Sequence, residues 1–174
     1  MKNRKIPLAV SLLLAGCATA AGASEPVGHQ PAAEAEILAV LDAYMLEISA
    51  NDLDAMKTRQ TPDGMTYRHL KREDGGWEVK PRSNAAWVAP DMATKQKYRE
   101  RYWSPTVLIR GSMALVWTPY QFLVDGKTSH CGIDVFSFAR VKGVWKVSNQ
   151  MWTVEPHACE ELGFRGTEQL RPAL

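Results

Sequence analysis

The chain has 174 residues, of which 45% are hydrophobic and 23% are charged. These values are typical of a single globular domain and exclude an intrinsically disordered chain. The formal net charge is +2, but Lys2, Arg4 and Lys5 lie in a segment that we expect to be removed. Without these three of the 21 basic residues, the 19 acidic residues are in slight excess, which argues against the basic face that nucleic-acid binding needs.

The first residues have the pattern of an export signal, in which basic residues precede an apolar run too short to span a bilayer. The string from Leu14 to Cys17 resembles a bacterial lipobox, which predicts a signal peptide over residues 1–16 and lipidation of Cys17. Because Ala18 is not an acidic retention signal, we expect a periplasmic lipoprotein of the outer membrane, attached to the membrane only through this anchor. The alternative is a secretory signal cut after residues 21–23, which would give a soluble periplasmic or secreted protein.

Residues 17–31 are small and polar and predict a flexible tether before the domain, which we place at residues 32–162 with a C-terminal tail over residues 163–174. The domain begins with a helical pattern that ends near Ala50. Its apolar stripe consists of Ile37, Val40, Leu41, Tyr44, Met45 and Ile48. Asn51 and Asp52 are suited to cap a second, shorter helix.

Alternating and β-branched segments then predict strands at Met65–Leu70, Trp77–Val79, Thr106–Arg110 and Met113–Val124. Pro81 is expected to end the second of these strands, and Ser83 to cap a short helix that ends at Trp87. A polar stretch through Arg99 follows. Pro119 predicts an edge position or a bulge in its strand, because proline cannot donate to a ladder.

The segment from Ser129 to Thr153 predicts a long antiparallel hairpin with a turn over residues 141–144, where Gly143 is free to take a positive φ. In that hairpin Arg140 faces Trp145. Helices followed by a run of long strands indicate the α+β class, with a curved antiparallel sheet packed against the N-terminal helices.

The cysteines at positions 131 and 159 are predicted to form a disulfide, because an exported protein reaches an oxidising compartment. The hairpin register places Cys131 opposite Val154, and Pro156 can turn the chain so that Cys159 returns towards it. Closing this loop would stabilise the fold by about 3 to 4 kcal/mol in the chain-entropy model.

Several strings in the same order resemble the nuclear transport factor 2-like superfamily, nearest to its SnoaL-like and lumazine-binding bacterial branch. The strings are ILAVLDAYM followed by Asn51-Asp52, then residues 114–117, 120–122, 124–126 and 130–134, and the Gly-x-Trp-Lys-Val string at 143–147. The resemblance covers residues 33–162. It implies a cone-shaped α+β barrel with a ligand cavity between helices and sheet, often a homodimer through the sheet.

The superfamily includes isomerases, dehydratases, epoxide hydrolases and cyclases as well as proteins without catalytic activity, so the resemblance does not assign an activity. Many relatives carry a histidine near the middle of the last strand, where this chain has Asn149 and Met151. That departure weakens the analogy to acid–base members.

Three residues are candidates for acid–base catalysis, which needs a titratable group held in an apolar wall. Asp134 would be the base and His130 or His69 the acid. Asp134 and His130 share a strand face about 13 Å apart. A structural role, in which Asp134 bonds a neighbouring strand or an arginine, is the alternative for this residue.

Aromatic and polar side chains on the predicted strands and the short helix are candidates to line a ligand pocket, with core packing as the alternative for each. They are Tyr67, Trp87, Trp117, Tyr120, Phe122, Phe136, Asn149 and Met151. Tyr120 or Asn149 could donate a hydrogen bond to a ligand carbonyl.

No metal or other cofactor is expected. His130, Cys131, His157 and Cys159 superficially make a zinc-like set, but adjacent strand residues point to opposite faces and cannot readily share one ion. The sequence also lacks a phosphate-binding glycine loop. The leading hypothesis is a binder of a small apolar or aromatic molecule; an acid–base enzyme and a non-catalytic envelope scaffold are the alternatives.

Overall fold

The computed structural model describes residues 31–172. The predicted signal peptide, the lipidation site at Cys17 and nearly all of the tether lie outside the described residues. No helix in the described part of the chain is long and apolar enough to cross a membrane.

Three helices precede or interrupt the sheet: α1 (Pro31–Ala50), α2 (Leu53–Arg59) and α3 (Asn84–Trp87), with a short 3₁₀ turn at Pro90–Met92. The predicted stripe of α1 faces the core, where Ile37, Leu41, Tyr44, Met45 and Ile48 are buried. Both predicted caps are confirmed. The Asp52 side chain accepts a hydrogen bond from the Ala55 N–H at 2.9 Å, and Ser83 accepts one from the Ala86 N–H at 3.2 Å.

Seven strands form one curved, unclosed sheet. They are β1 (Met65–Lys71), β2 (Trp77–Ser83), β3 (Tyr98–Tyr102), β4 (Thr106–Arg110), β5 (Met113–Val124), β6 (Lys127–Val141) and β7 (Val144–Val154). The strand order is β2-β1-β7-β6-β5-β3, and β4 also pairs with β5. Helix α1 packs on the concave face, so the α+β class is confirmed.

One part of the topology prediction is wrong, because the sheet is mixed and not wholly antiparallel. Strand β1 lies parallel to β7, with Thr66 opposite Gln150 and Arg68 opposite Trp152. The whole remainder of the sheet separates these two strands in sequence, so no tight turn imposes an antiparallel direction on them.

Strand β2 continues through Pro81 to Ser83, although the sequence predicts that proline ends it. Pro81 pairs with Tyr67 on β1, and β2 is the edge strand of the sheet. The missing N–H therefore costs no ladder hydrogen bond, which is why proline is tolerated there.

Pro119 lies neither at an edge nor in a bulge. Strand β5 pairs with β4 before this residue and with β3 after it, and the Pro119 carbonyl accepts a hydrogen bond from the Trp103 N–H at 3.2 Å. The proline thus occupies the point where β5 changes partner, so its lack of an N–H interrupts neither ladder.

The β6–β7 hairpin has the predicted turn, with positive φ at Lys142 (50°) and Gly143 (84°), and Arg140 faces Trp145 as expected. A bulge after Ser137 shifts the rest of the register by one residue, so Cys131 pairs with Glu155 and not with Val154.

The Cys131–Cys159 disulfide is present in the structure. It ties the segment that follows β7 back to β6 and so fixes the start of the C-terminal segment on the sheet.

The C-terminal segment stays packed beyond residue 162. Phe164 contacts Trp103 with ring centroids 5.3 Å apart, and the Arg171 backbone exchanges two hydrogen bonds with Tyr102. The Arg171 guanidinium also forms an ion pair with Asp42 of α1 at 2.5 Å. These contacts join the end of the described chain to its first helix.

Candidate functional site

A cavity of about 490 Å³ lies between the helices and the concave face of the sheet. Strand residues alternate between two faces, and the even-numbered side chains of β1, β2, β3, β5 and β6 face this interior. The residues that carry its chemistry are Arg68, Trp87, Glu100, Tyr120, Phe122, His130, Gln150 and Trp152.

The walls of the cavity are aromatic. Trp87 of α3 lies against Trp152 of β7 with ring centroids 5.2 Å apart, and His130 stacks on Phe122 at 5.2 Å. Tyr98 also contacts Phe122, at 5.0 Å. Flat rings of this kind give a ligand apolar contact area at defined orientations.

Two buried carboxyl groups meet at the inner end of the cavity. Glu100 on β3 lines the cavity, and its carboxyl lies against that of Asp134 on β6. Asp134 is completely buried, and neither of its oxygens receives a hydrogen bond from an N–H or hydroxyl donor of the described chain. Two carboxylates are both acceptors, so this contact requires that one of them carries a proton.

The environment assigns the proton to Asp134. Burial, and then the negative charge of Glu100, hold the pKa of Asp134 well above its ordinary value. Burial raises the pKa of Glu100 to about 7, although the hydrogen bond with Asp134 acts in the opposite direction. Near neutral pH the pair therefore carries one charge at most, and Glu100 is the member that gains and loses it.

His130 lies on the same face of β6 but is a neutral group. Burial and the nearby charge of Arg68 lower its pKa to about 4. Its Nδ1 is 3.1 Å from the Ser129 hydroxyl oxygen, and its ring edge meets Tyr120 at 5.7 Å. A neutral imidazole can exchange hydrogen bonds with a ligand but is a weak source of protons at pH 7.

Two further polar side chains line the cavity. The Tyr120 hydroxyl donates to the Thr153 carbonyl at 2.7 Å, so this donor is already engaged, and burial raises its pKa well above 10. Gln150 is buried, and its Oε1 has no hydrogen-bond partner within residues 31–172. An unpaired buried amide oxygen is costly unless a ligand or water bonds to it.

Solved structures share this architecture. A nuclear transport factor 2-like protein of unknown function from Pseudomonas putida is 19% identical, with a TM-score of 0.57 over 72% of this chain and 89% of its own. A nuclear transport factor 2-like protein from Cytophaga hutchinsonii is 14% identical, with a TM-score of 0.57 over 70% and 97%. The chain has the nuclear transport factor 2-like fold.

A nuclear transport factor 2-like superfamily protein from Salmonella enterica has a similar structure, at 14% identity and a TM-score of 0.57 over 71% of this chain and 92% of its own. No protein-family model and no curated protein matches the sequence. At these identities the likeness establishes the fold alone, and the activity has to be argued from the site.

Within the nuclear transport factor 2-like cone, the structure places several sequence-predicted site residues away from the cavity. Tyr67 and His69 lie on the opposite face of β1 from the cavity-lining Arg68. Trp117 and Met151 are 50% and 39% exposed, on the outer face of the sheet. The structure therefore does not place Tyr67, Trp117 or Met151 in this cavity, and it does not bring His69 together with Asp134. Period-two patterning defines two faces but does not say which one is inside.

Two other predicted pocket residues have structural contacts. Phe136 is fully buried and packs edge-on against Tyr44 of α1, with centroids 6.0 Å apart. The Asn149 side-chain oxygen accepts a hydrogen bond from the Met65 N–H at 3.0 Å, where β1 begins beside β7. Neither side chain lines the cavity, whereas Trp87, Tyr120, Phe122 and His130 do.

Among the eight residues named above, the charged or polar ones missing from the sequence prediction are Arg68, Glu100 and Gln150. Glu100 comes directly after the stretch through Arg99 that the sequence analysis describes as polar. The signal that could have found it is the alternation of Tyr98, Glu100 and Tyr102, since one face of a strand repeats every second residue.

The described residues contain no group of three or more His, Cys, Asp and Glu side chains placed to hold a metal ion. Of the zinc-like set considered from the sequence, Cys131 and Cys159 are joined in the disulfide, so their thiolates are not free to act as ligands.

Proposed function

We propose that the chain is an exported protein that binds a small, largely apolar or aromatic molecule in the cavity of its cone. The observation that carries this proposal is the cavity itself, which has aromatic walls and an unpaired buried amide oxygen at Gln150. Its volume of about 490 Å³ lies within the range of small-molecule sites, which are mostly apolar with a few polar groups that set orientation.

Export is part of the proposal. The Cys131–Cys159 disulfide supports it, because disulfides persist in oxidising compartments such as the periplasm. We further propose lipidation of Cys17 and an outer-membrane location, on the N-terminal pattern.

Native mass spectrometry of the protein purified from the envelope of its own host tests the binding function. We expect a mass above that of the polypeptide with its modifications, and an aromatic or apolar compound in the extract. Replacing Trp87 by Ala should remove the extra mass, whereas Trp117→Ala, on the outer face, should keep it. A wild-type protein that carries no compound, and takes up none from an extract of the host, would count against the proposal.

An acid–base enzyme is the second candidate, and the Glu100–Asp134 pair is the observation that favours it. Ionised Glu100 would take a proton from a bound molecule and return it at another position, as in an isomerisation, dehydration or cyclisation. Protonated Asp134 would stabilise the charge on Glu100 through their hydrogen bond. The base is then Glu100 and not the predicted Asp134.

Solvent-hydrogen exchange separates the enzyme from the binder. The compound extracted from the protein is incubated with it in D₂O, and deuterium in the compound is measured by mass spectrometry. The enzyme hypothesis predicts incorporation that Glu100→Gln abolishes and the exposed control Glu73→Gln retains. If the wild-type protein causes no incorporation of deuterium, the enzyme hypothesis is wrong and only the binding function stands.

A non-catalytic scaffold is supported less well, because it would be expected to have a filled cone. The outer sheet face does expose apolar side chains, among them Leu108, Met113, Trp117 and Val144. A homodimer through this face stays a prediction.

A further inference from the structure

Arg68 is a cation without a partner inside the cavity. It lies on β1 between Lys80 of β2 and Trp152 of β7, partly buried and on the cavity face. Within residues 31–172 its guanidinium makes no ion pair and no hydrogen bond. A partly buried guanidinium with five unused donors can bind an anion through charge-assisted hydrogen bonds.

The other two cations that line the cavity are engaged and lie at its exposed rim. Lys80 forms an ion pair with Glu78 at 3.2 Å. Arg82 donates to the thioether sulfur of Met92 and lies 6.0 Å from the ring centroid of Trp87. Of these three cations, Arg68 is therefore the one that is partly buried and that forms no ion pair or hydrogen bond within the described residues.

The acid pair of the cavity does not neutralise Arg68. Glu100 lines the same cavity but forms no ion pair with Arg68 within residues 31–172. His130 is neutral at pH 7, and an imidazole offers no negative counter-charge in either protonation state. The cavity thus has a cationic position and an acidic position that are not paired with each other.

We propose that the cavity takes a small aromatic molecule with one carboxylate group, which Arg68 binds while the rings of Trp87 and Trp152 hold the aromatic body. This inference rests on the proposed binding function and names its ligand class. A guanidinium fork matches a carboxylate with two parallel hydrogen bonds, which a neutral isostere of the same shape cannot form as well.

Titration calorimetry at pH 8 with 2-naphthoate and 2-naphthamide tests this inference, because the two probes have similar shapes and differ in charge. We expect the wild-type protein to bind the carboxylate at least about tenfold more tightly. Arg68→Gln should remove this preference, and thermal unfolding of the variant shows that it is folded. The control Arg72→Gln removes one exposed positive charge outside the cavity and should keep the preference.

The outcomes separate this inference from the proposed function. Equal wild-type affinities for the two probes, or a preference that survives Arg68→Gln, would overturn the carboxylate assignment and leave the binding function standing. A preference for 2-naphthyl phosphate over 2-naphthoate would also overturn it, in favour of a phosphate ester. Binding of none of the three probes would contradict the binding function and, with it, this inference.

Discussion

Two carboxyl groups in contact inside an apolar cone form the most unusual chemical feature of this chain. Asp134 and Glu100 are both buried, yet they approach each other and not an arginine or a lysine. Such a contact is stable only while one of the two carboxyl groups is protonated. The free energy of unfolding therefore depends on pH through this pair.

Replacing Glu100 by Gln should change how stability depends on pH. In the folded protein the pKa of Glu100 is about 7, above its ordinary value of 4.5. The contribution of this group to the free energy of unfolding is therefore fully present below pH 4.5 and is lost as the pH rises through 7. Relative to the wild type, the free energy of unfolding of Glu100→Gln should therefore increase by about 3 kcal/mol between pH 4.5 and pH 7.

Urea unfolding at a series of pH values measures this difference. His130, whose pKa is lowered, destabilises the fold as the pH falls below 6.5, but it does so in both proteins and largely cancels. The exposed control Glu73→Gln should show no trend. If the free energies of unfolding of the wild type and Glu100→Gln differ by a constant amount from pH 4.5 to 8, Glu100 has an ordinary pKa.

At the level of helices and strands, the sequence predicted those features that depend only on residues close together in the chain. The apolar stripe of α1, the caps Asp52 and Ser83, and the turn at Gly143 follow from side-chain chemistry within a few residues. The parallel pairing of β1 with β7 does not, because it depends on where distant strands meet. The continuation of β2 through Pro81 likewise depends on β2 being the edge strand.

The candidate site was less predictable than the fold for the same reason. Asp134, Tyr120 and His130 could be selected as polar groups on apolar strands. The bulge after Ser137 and the choice of inner face are tertiary properties, so the alternation alone could not separate Trp152, inside, from Trp117, outside.

The Cys131–Cys159 disulfide should stabilise the folded domain. It closes a loop with a sequence separation of 28, so Cys159→Ser should lower the free energy of unfolding by about 3 to 4 kcal/mol. Chemical denaturation under oxidising conditions measures the loss. Under reducing conditions the wild type should fall to the level of the variant, and equal stabilities under oxidising conditions would contradict a stabilising role for the bond.

At the scale of the whole molecule, an open cone with aromatic walls is held between the first helix and the C-terminal segment. Asp42 of α1 binds Arg171, and the Arg171 backbone pairs with Tyr102 of β3, which also carries Glu100. The end of the described chain thereby supports the strand that presents the cavity carboxyl.

The proposed outer-membrane location depends on the predicted lipidation of Cys17. Cys17→Ser should move the protein from the membrane fraction to the soluble periplasmic fraction, because the predicted lipid is its anchor. Fractionation of host cells with immunoblotting measures this change, and Cys159→Ser, which removes a different cysteine, should stay with the membranes. An unchanged distribution of Cys17→Ser would contradict lipidation.

Titration calorimetry with the neutral probe 2-naphthamide is the decisive test of ligand binding in the cavity against the paired rings of Trp87 and Trp152. We expect binding to the wild type, an affinity reduced about tenfold or more by Trp87→Ala, and no change for Trp117→Ala. Thermal unfolding of each variant confirms that it is folded. No binding to the wild type, or equal losses for the inner and outer tryptophans, would contradict a binding site in the cone.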